Sequence, residues 1–94
     1  MNIGMRKISE DDCFVRYEFD TNIWEKVYEQ YVLLTKRGIC KFNKNTREFI
    51  LDMTHSDQYF LTKNNPEVVK VHVKLIKLYQ ESNGYPDHTG IATG

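Results

Sequence analysis

Residues 20–38 read DTNIWEKVYEQYVLLTKRG, and the helix they predict sets the class of the whole fold. Asp20, Thr21 and Asn22 supply short oxygen-bearing side chains that accept from the free amides of a helix start. Glu25, three residues after Asn22, completes a capping-box spacing. With Asn22 as the N-cap, Ile23, Trp24, Val27, Tyr28, Tyr31 and Leu34 recur at helical spacing, opposite Glu25, Lys26, Glu29, Gln30, Lys36 and Arg37. Gly38 supplies the stop, since glycine takes the left-handed C-cap conformation without steric cost. Lys36 and Arg37 fall where the helix dipole is negative.

Working outward, residues 13–20 alternate. Cys13, Val15, Tyr17 and Phe19 point one way and Arg16 and Glu18 the other, the period of a half-buried strand. Residues 1–12 read as an arm or as a short strand through Ile3 to Ile8. After Gly38, residues 39–42 and 47–53 are apolar or β-forming and flank Asn43, Lys44, Asn45 and Thr46. Asparagine tolerates positive φ and bonds its own backbone, so this segment predicts a hairpin. A polar gap over 54–57 leads to a third, shorter strand over 58–62 around Tyr59, Phe60 and Leu61.

Asn64, Asn65, Pro66 and Glu67 predict a second helix start, with proline at the first helical position and an acid in the first turn. Residues 68–76 satisfy two periods. Val69, Val71, Val73 and Leu75 alternate with Lys70, His72 and Lys74 as in a strand, while Lys70, Lys74, Lys77 and Glu81 form one polar helical stripe. The length and the Ser82, Asn83, Gly84 stop favour helix. Its broad apolar surface requires burial across a sheet or against a second subunit. Residues 85–94, with Pro86 and two glycines, read as a flexible or docked tail.

The expected architecture is therefore α+β in a single domain over 1–94. Its order is β-α-β-β-(β)-α, with an antiparallel sheet carrying two helices packed on one face. Helix, three strands and helix resembles the element order of the double-stranded RNA-binding domain. The basic cluster which that family places at the start of its last helix is absent, since Asn65, Pro66, Glu67 and Val68 stand there.

Ninety-four residues suit one core, and 40% hydrophobic with 28% charged residues is globular rather than disordered composition. Thirteen basic residues balance thirteen acidic ones, so any electrostatic function must be local. The imbalance lies along the chain. Residues 9–29 hold Glu10, Asp11, Asp12, Glu18, Asp20, Glu25 and Glu29 against Arg16 and Lys26, whereas residues 36–47 hold Lys36, Arg37, Lys41, Lys44 and Arg47 with no acid. Cys13 and Cys40 are isolated thiols on predicted buried faces, without Cys-x-x-Cys spacing or a secretory leader, which points to a reducing, cytoplasmic setting. No apolar run reaches the roughly 18 residues of a bilayer span, so the chain reads as soluble with no membrane partner.

Lys36, Arg37, Lys41, Lys44 and Arg47, with Phe42 among them, form the candidate binding site. The cations would meet a phosphate backbone while the aromatic stacks on a base. The competing reading has Phe42 packed inward and the charges solubilising an edge strand. His55 and Asp57 supply a candidate acid/base pair, against their plain role as turn formers beside a solvated imidazole. The histidines and cysteines lack metal-ligand spacing, and no glycine loop cradles phosphate, so no metal or cofactor is implied. Twelve aromatic residues exceed what one thin layer buries. The composition therefore points to a non-catalytic protein–protein interaction or regulatory module acting as a homodimer with an unidentified protein partner. The alternatives are a nucleic-acid-binding module using 36–47 and a small enzyme using His55 and Asp57.

Overall fold

The computed structural model describes residues 2–92, and residues 20–38 form no helix in it. Strand β2, Phe14–Val27, runs straight through the expected helix start and turns at Tyr28 and Glu29. It returns as β3, Gln30–Asn43, paired without interruption from Phe14↔Asn43 to Val27↔Gln30. Tyr28 and Glu29 have φ of 50° and 67°, the pair of left-handed residues that a two-residue hairpin turn of the I′ kind requires. The residues between include β-branched Ile23, Val27 and Val32 and aromatic Trp24 and Tyr31, which suit a pleated ribbon better than a helix. Asn22 caps nothing. Its Oδ1 accepts a hydrogen bond from Thr35 Oγ1 across the strands at 2.8 Å.

Strand β1, Asn2–Glu10, settles the reading of the N-terminus. It pairs antiparallel with β2, with an irregularity between Lys7 and Ser9 that leaves Ile8 without a partner. Asp11 closes the connection, its Oδ1 accepting from the amides of Cys13 and Phe14 at 2.8 and 2.7 Å. The expected hairpin at 43–46 is present. Strand β4, Phe49–Leu51, pairs with the end of β3, and Asn43 Oδ1 accepts from the amides of Asn45 and Thr46. The expected third strand over 58–62 is instead a 3-10 helix, Gln58–Leu61, which drops Phe60 into the core. Helix α1, Pro66–Glu81, starts and stops as its caps foretell. Asn65 Oδ1 accepts from the amides of Glu67 and Val68, Pro66 opens the first turn, and Ser82 closes it in the left-handed conformation. The segment expected as a tail carries strand β5, His88–Ala92, which pairs with the outer edge of β1.

The fold is thus a five-stranded antiparallel sheet, order β4-β3-β2-β1-β5, with one α-helix on one face, and not a sheet bearing two helices. With the first helix gone, the element order no longer resembles the double-stranded RNA-binding domain. The core lies wholly between sheet and helix. Ile3, Met5, Val15, Tyr17, Phe19, Cys40 and Phe42 face Phe60, Val71 and Leu75. The opposite face of the sheet, carrying Phe14, Arg16, Glu18, Asp20, Arg37, Ile39 and Lys41, is covered by no other element among the described residues. No helix there is long and apolar enough to cross a membrane.

Gly38 is a notch rather than a C-cap. The Phe19 ring lies over it so closely that an added Cβ would stand 2.5 Å from Phe19 Cζ, and the same ring packs edge-on against Phe60 with centroids 4.9 Å apart. A methyl group at residue 38 must displace that pair, and overpacking of this kind costs on the order of 1–3 kcal/mol. Gly38→Ala should lower the urea midpoint accordingly. An unchanged midpoint would show that the Phe19 ring moves at no cost.

Candidate functional site

The basic run does not come together as a patch. Along β3, successive side chains take opposite faces, so Lys36 stands on the helix side while Arg37 and Lys41 stand on the uncovered side. Phe42 is fully buried in the core and has no face to offer a base. Lys44 Nζ donates to Glu10 Oε2 at 2.8 Å and to the Asp11 carbonyl at 2.7 Å. Arg47 lies over the Tyr79 ring of α1, 5.5 Å from its centroid. Arg37 and Lys41 alone remain together, on the face that also carries Arg16 and Phe14. The Phe14 ring has Lys41 Nζ at 4.6 Å and Arg16 Cζ at 5.8 Å.

The proposed acid/base pair is divided as well. Asp57 serves the backbone of β3. Its Oδ2 accepts from the Arg37 amide at 2.6 Å, and its own amide donates to the Arg37 carbonyl. Ser56 Oγ accepts from the Ile39 amide, so the 52–57 loop continues the edge pairing where β4 has stopped. The acid beside His55 is Asp52, whose Oδ2 lies 3.0 Å from His55 Nδ1 while its Oδ1 accepts from the amides of Thr54 and His55. These bonds, the one from the imidazole foremost, hold the Asp52 carboxyl below its ordinary range. The His55 side chain is 68% exposed, so the dyad faces solvent. Cys40 is buried, and burial pushes its thiol up to about 12, which keeps it protonated and unreactive. Cys13 is exposed, contrary to the expected buried face, and both thiols are free. No group of three or more His, Cys, Asp or Glu side chains among the described residues is placed to hold a metal.

The feature that sequence reasoning missed is the far half of the β2–β3 hairpin. Pairing of β1 with β2 ends at Ile3↔Thr21, and the 52–57 loop reaches β3 only as far as Arg37. Beyond Thr21 the ribbon therefore has two free edges and two free faces among the described residues. It projects seven residues to its tip, about 23 Å at a strand rise of roughly 3.3 Å, from a molecule whose longest extent is 48 Å. Trp24 and Leu33 form a cross-strand pair on the uncovered side and are 68% and 52% exposed. Tyr31 beside them is 68% exposed, and Tyr28 at the tip is 95% exposed.

Ribbon stability accounts for part of this composition, because cross-strand aromatic and branched pairs each add about 0.2–1 kcal/mol. It does not account for Tyr28, which packs on little and occupies a positive φ better suited to glycine or asparagine. Tryptophan and tyrosine are the residues most enriched among binding hot spots. A sequence signal for this arm existed in the run of aromatic and β-branched residues over 23–35.

No protein-family model, curated protein or solved structure matches the chain.

One ionic cluster outside the arm fixes the opposite end of the sheet. Glu10 accepts from both Lys7 and Lys44 at 2.8 Å, and Lys7 also approaches Asp87 at 3.3 Å and donates to the Tyr85 carbonyl. Hydrogen bonds from Lys44 and then Lys7 hold the Glu10 carboxyl below its ordinary 4.5, and the bond to Glu10 holds each ammonium above 10.5. A lowered carboxylate stabilises the fold above its unfolded value, and the gain is lost as pH falls through the folded one. The raised lysines contribute below 10.5 and lose that contribution only as pH rises through their folded values. Glu10→Gln should therefore flatten part of the loss of thermal stability below about pH 4.5. Between neutrality and the lysine range it should leave the pH slope unchanged. An identical acid limb in both proteins would show that the cluster does not stabilise the fold.

Proposed function

We propose that the chain is a non-catalytic protein–protein interaction module that acts as a homodimer, with the β-ribbon arm as its binding element. The observation that carries this reading is the concentration of Trp24, Tyr28, Tyr31 and Leu33 on a projection that no other element covers among the described residues. A two-stranded ribbon alone in water is marginal in stability, and a partner that covers it removes that weakness. The free thiols, one of them exposed, suit a reducing, cytoplasmic setting.

Sedimentation of the wild-type chain up to high micromolar concentration should give a concentration-dependent monomer–dimer equilibrium. Trp24→Ala and Tyr28→Ala should each weaken it by at least tenfold, as loss of a hot-spot aromatic does. At concentrations where the chain is monomeric, Tyr28→Ala should move unfolding stability by no more than about 0.5 kcal/mol, because the side chain is exposed there. A monomer at every concentration ends the homodimer reading.

A second reading has one observation in its favour. Arg16, Arg37 and Lys41 share the uncovered face with Phe14, a combination that suits a single-stranded nucleic acid. If that face binds RNA or DNA, replacing Arg37 and Lys41 with alanine should reduce the slope of log affinity against log salt by about two. Failure of the wild-type chain to bind either polymer at low salt removes it.

A further inference from the structure

The arm has a complement on its own chain. Between α1 and β5 runs a groove of about 180 Å³ with Val69, Val73 and Ile91 as its floor and Lys70, Lys74 and Lys77 along it. Val69 and Val73 are each about half exposed. The lysines stand on one helical stripe, and none of them is in an ion pair among the described residues. An apolar trough with a wholly cationic rim selects an apolar segment that carries acids. The arm tip is such a segment. Val27 and Tyr28 lie between Glu25 and Glu29, Glu25 shares the helix-side face with Val27, and Lys26 turns to the opposite face.

The placement agrees with the chemistry. Ile91 pairs with Ile3, and Ile3 pairs with Thr21, so the groove's Ile91 lies level with the residue at which the arm leaves the sheet, two strands across from it. A straight ribbon carries its tip about 23 Å away from that point, which keeps it out of its own groove. Two copies with their arms antiparallel and side by side bring each tip to the base of the other arm, and so to the level of the other groove. We infer that the arm tip of one copy docks in the α1–β5 groove of a second copy, reciprocally, with Glu25 and Glu29 facing Lys70, Lys74 and Lys77. The inference rests on the homodimer reading and names its interface.

An aromatic side chain buries about 150–250 Å², so Tyr28 at the tip, with Val27 on the helix-side face, gives a part of the roughly 800 Å² that each partner gives to a standard interface. The reciprocal groove and the aliphatic residues of the arm supply the remainder. The arrangement uses the same two patches on both copies, so it closes at two.

Reversing charge on each side separately tests it. The arm variant Glu25→Lys/Glu29→Lys and the groove variant Lys70→Glu/Lys74→Glu/Lys77→Glu should each dimerise at least tenfold more weakly than wild type by sedimentation equilibrium. The wild-type dimer should itself weaken as salt is raised. An equimolar mixture of the two variants should form a heterodimer, because each reversed arm then meets a reversed groove and each native arm a native groove. Circular dichroism confirms that each variant folds, and Glu→Gln at residues 25 and 29 or Lys→Gln at the three groove positions replaces whichever reversal does not.

A wild-type dimer indifferent to both variants, or a mixture no tighter than either variant alone, overturns the arm-in-groove interface and leaves the homodimer reading standing. A wild-type chain that stays monomeric throughout removes both.

Discussion

The antiparallel ladder between β2 and β3 places everything else in this molecule. Because it runs in one register from Phe14↔Asn43 to Val27↔Gln30, it is far longer than any element that packs on it. The near half acquires β1 and β5 on one side, β4 on the other and α1 beneath, and so becomes a sheet with a core. Among the described residues the far half acquires nothing. One strand pair thus serves as structural centre at one end and as an exposed arm at the other, and the change occurs within a residue or two.

That boundary is set by packing at Phe19. Its ring fills the space a side chain at residue 38 would need, stacks edge-on against Phe60 and so brings the 3-10 helix under β2 and β3. Phe60 leads directly to the α1 start, where the Asn65 side chain bonds the Tyr59 carbonyl as well as the first amides of the helix. The 52–57 loop ends its edge contacts at the same level, through Asp57 on Arg37. Beyond Thr21 and Gly38 no apolar layer lies beneath the ribbon among the described residues, and Ile23, Val32 and Leu34 are only half-buried where their counterparts nearer the core are fully buried. The arm is the part of a good strand pair that the small core cannot reach.

The elements most legible in the sequence were those with local chemistry of their own. Asn65, Pro66 and Glu67 mark the α1 start by capping, Asn43 marks the turn before β4, and the alternation over 13–20 marks the near half of β2. Residues 20–38 misled because their apolar positions satisfy a helical period as well as a two-residue one. The hairpin turn is made by Tyr28 and Glu29, which carry no turn signature. Gly38 looked like a helix stop because a glycine required by a neighbouring ring cannot be told from a C-cap without the tertiary contact. Strand β5 was hidden by its brevity, since its order comes from the β1 edge and not from its own pattern. The basic run dissolved for a different reason. On a strand, neighbours in sequence part to opposite faces, so Lys36 separates from Arg37 and Lys41 from Phe42. His55 likewise found its acid at Asp52, three residues back, because Asp57 was taken by the backbone of β3.

A ribbon with two free edges and aromatic faces carries a hazard that bears on how it can be used. Pairing β2 of one copy with β3 of the next would be a heterologous contact that never closes, the geometry of a growing fibre. The charges on this arm bear against that outcome. Glu25 and Lys26 sit within the free β2 edge and Glu29 in the turn, so an edge-to-edge partner would have to accommodate charge along a stretch that otherwise favours pairing. The same acids are compatible with the α1–β5 groove, where the facing side chains are lysines. The arm's sequence thus combines an apolar drive to be covered with a charge pattern that narrows what can cover it, and the reciprocal exchange proposed between two copies would satisfy both while leaving no arm free to recruit a third.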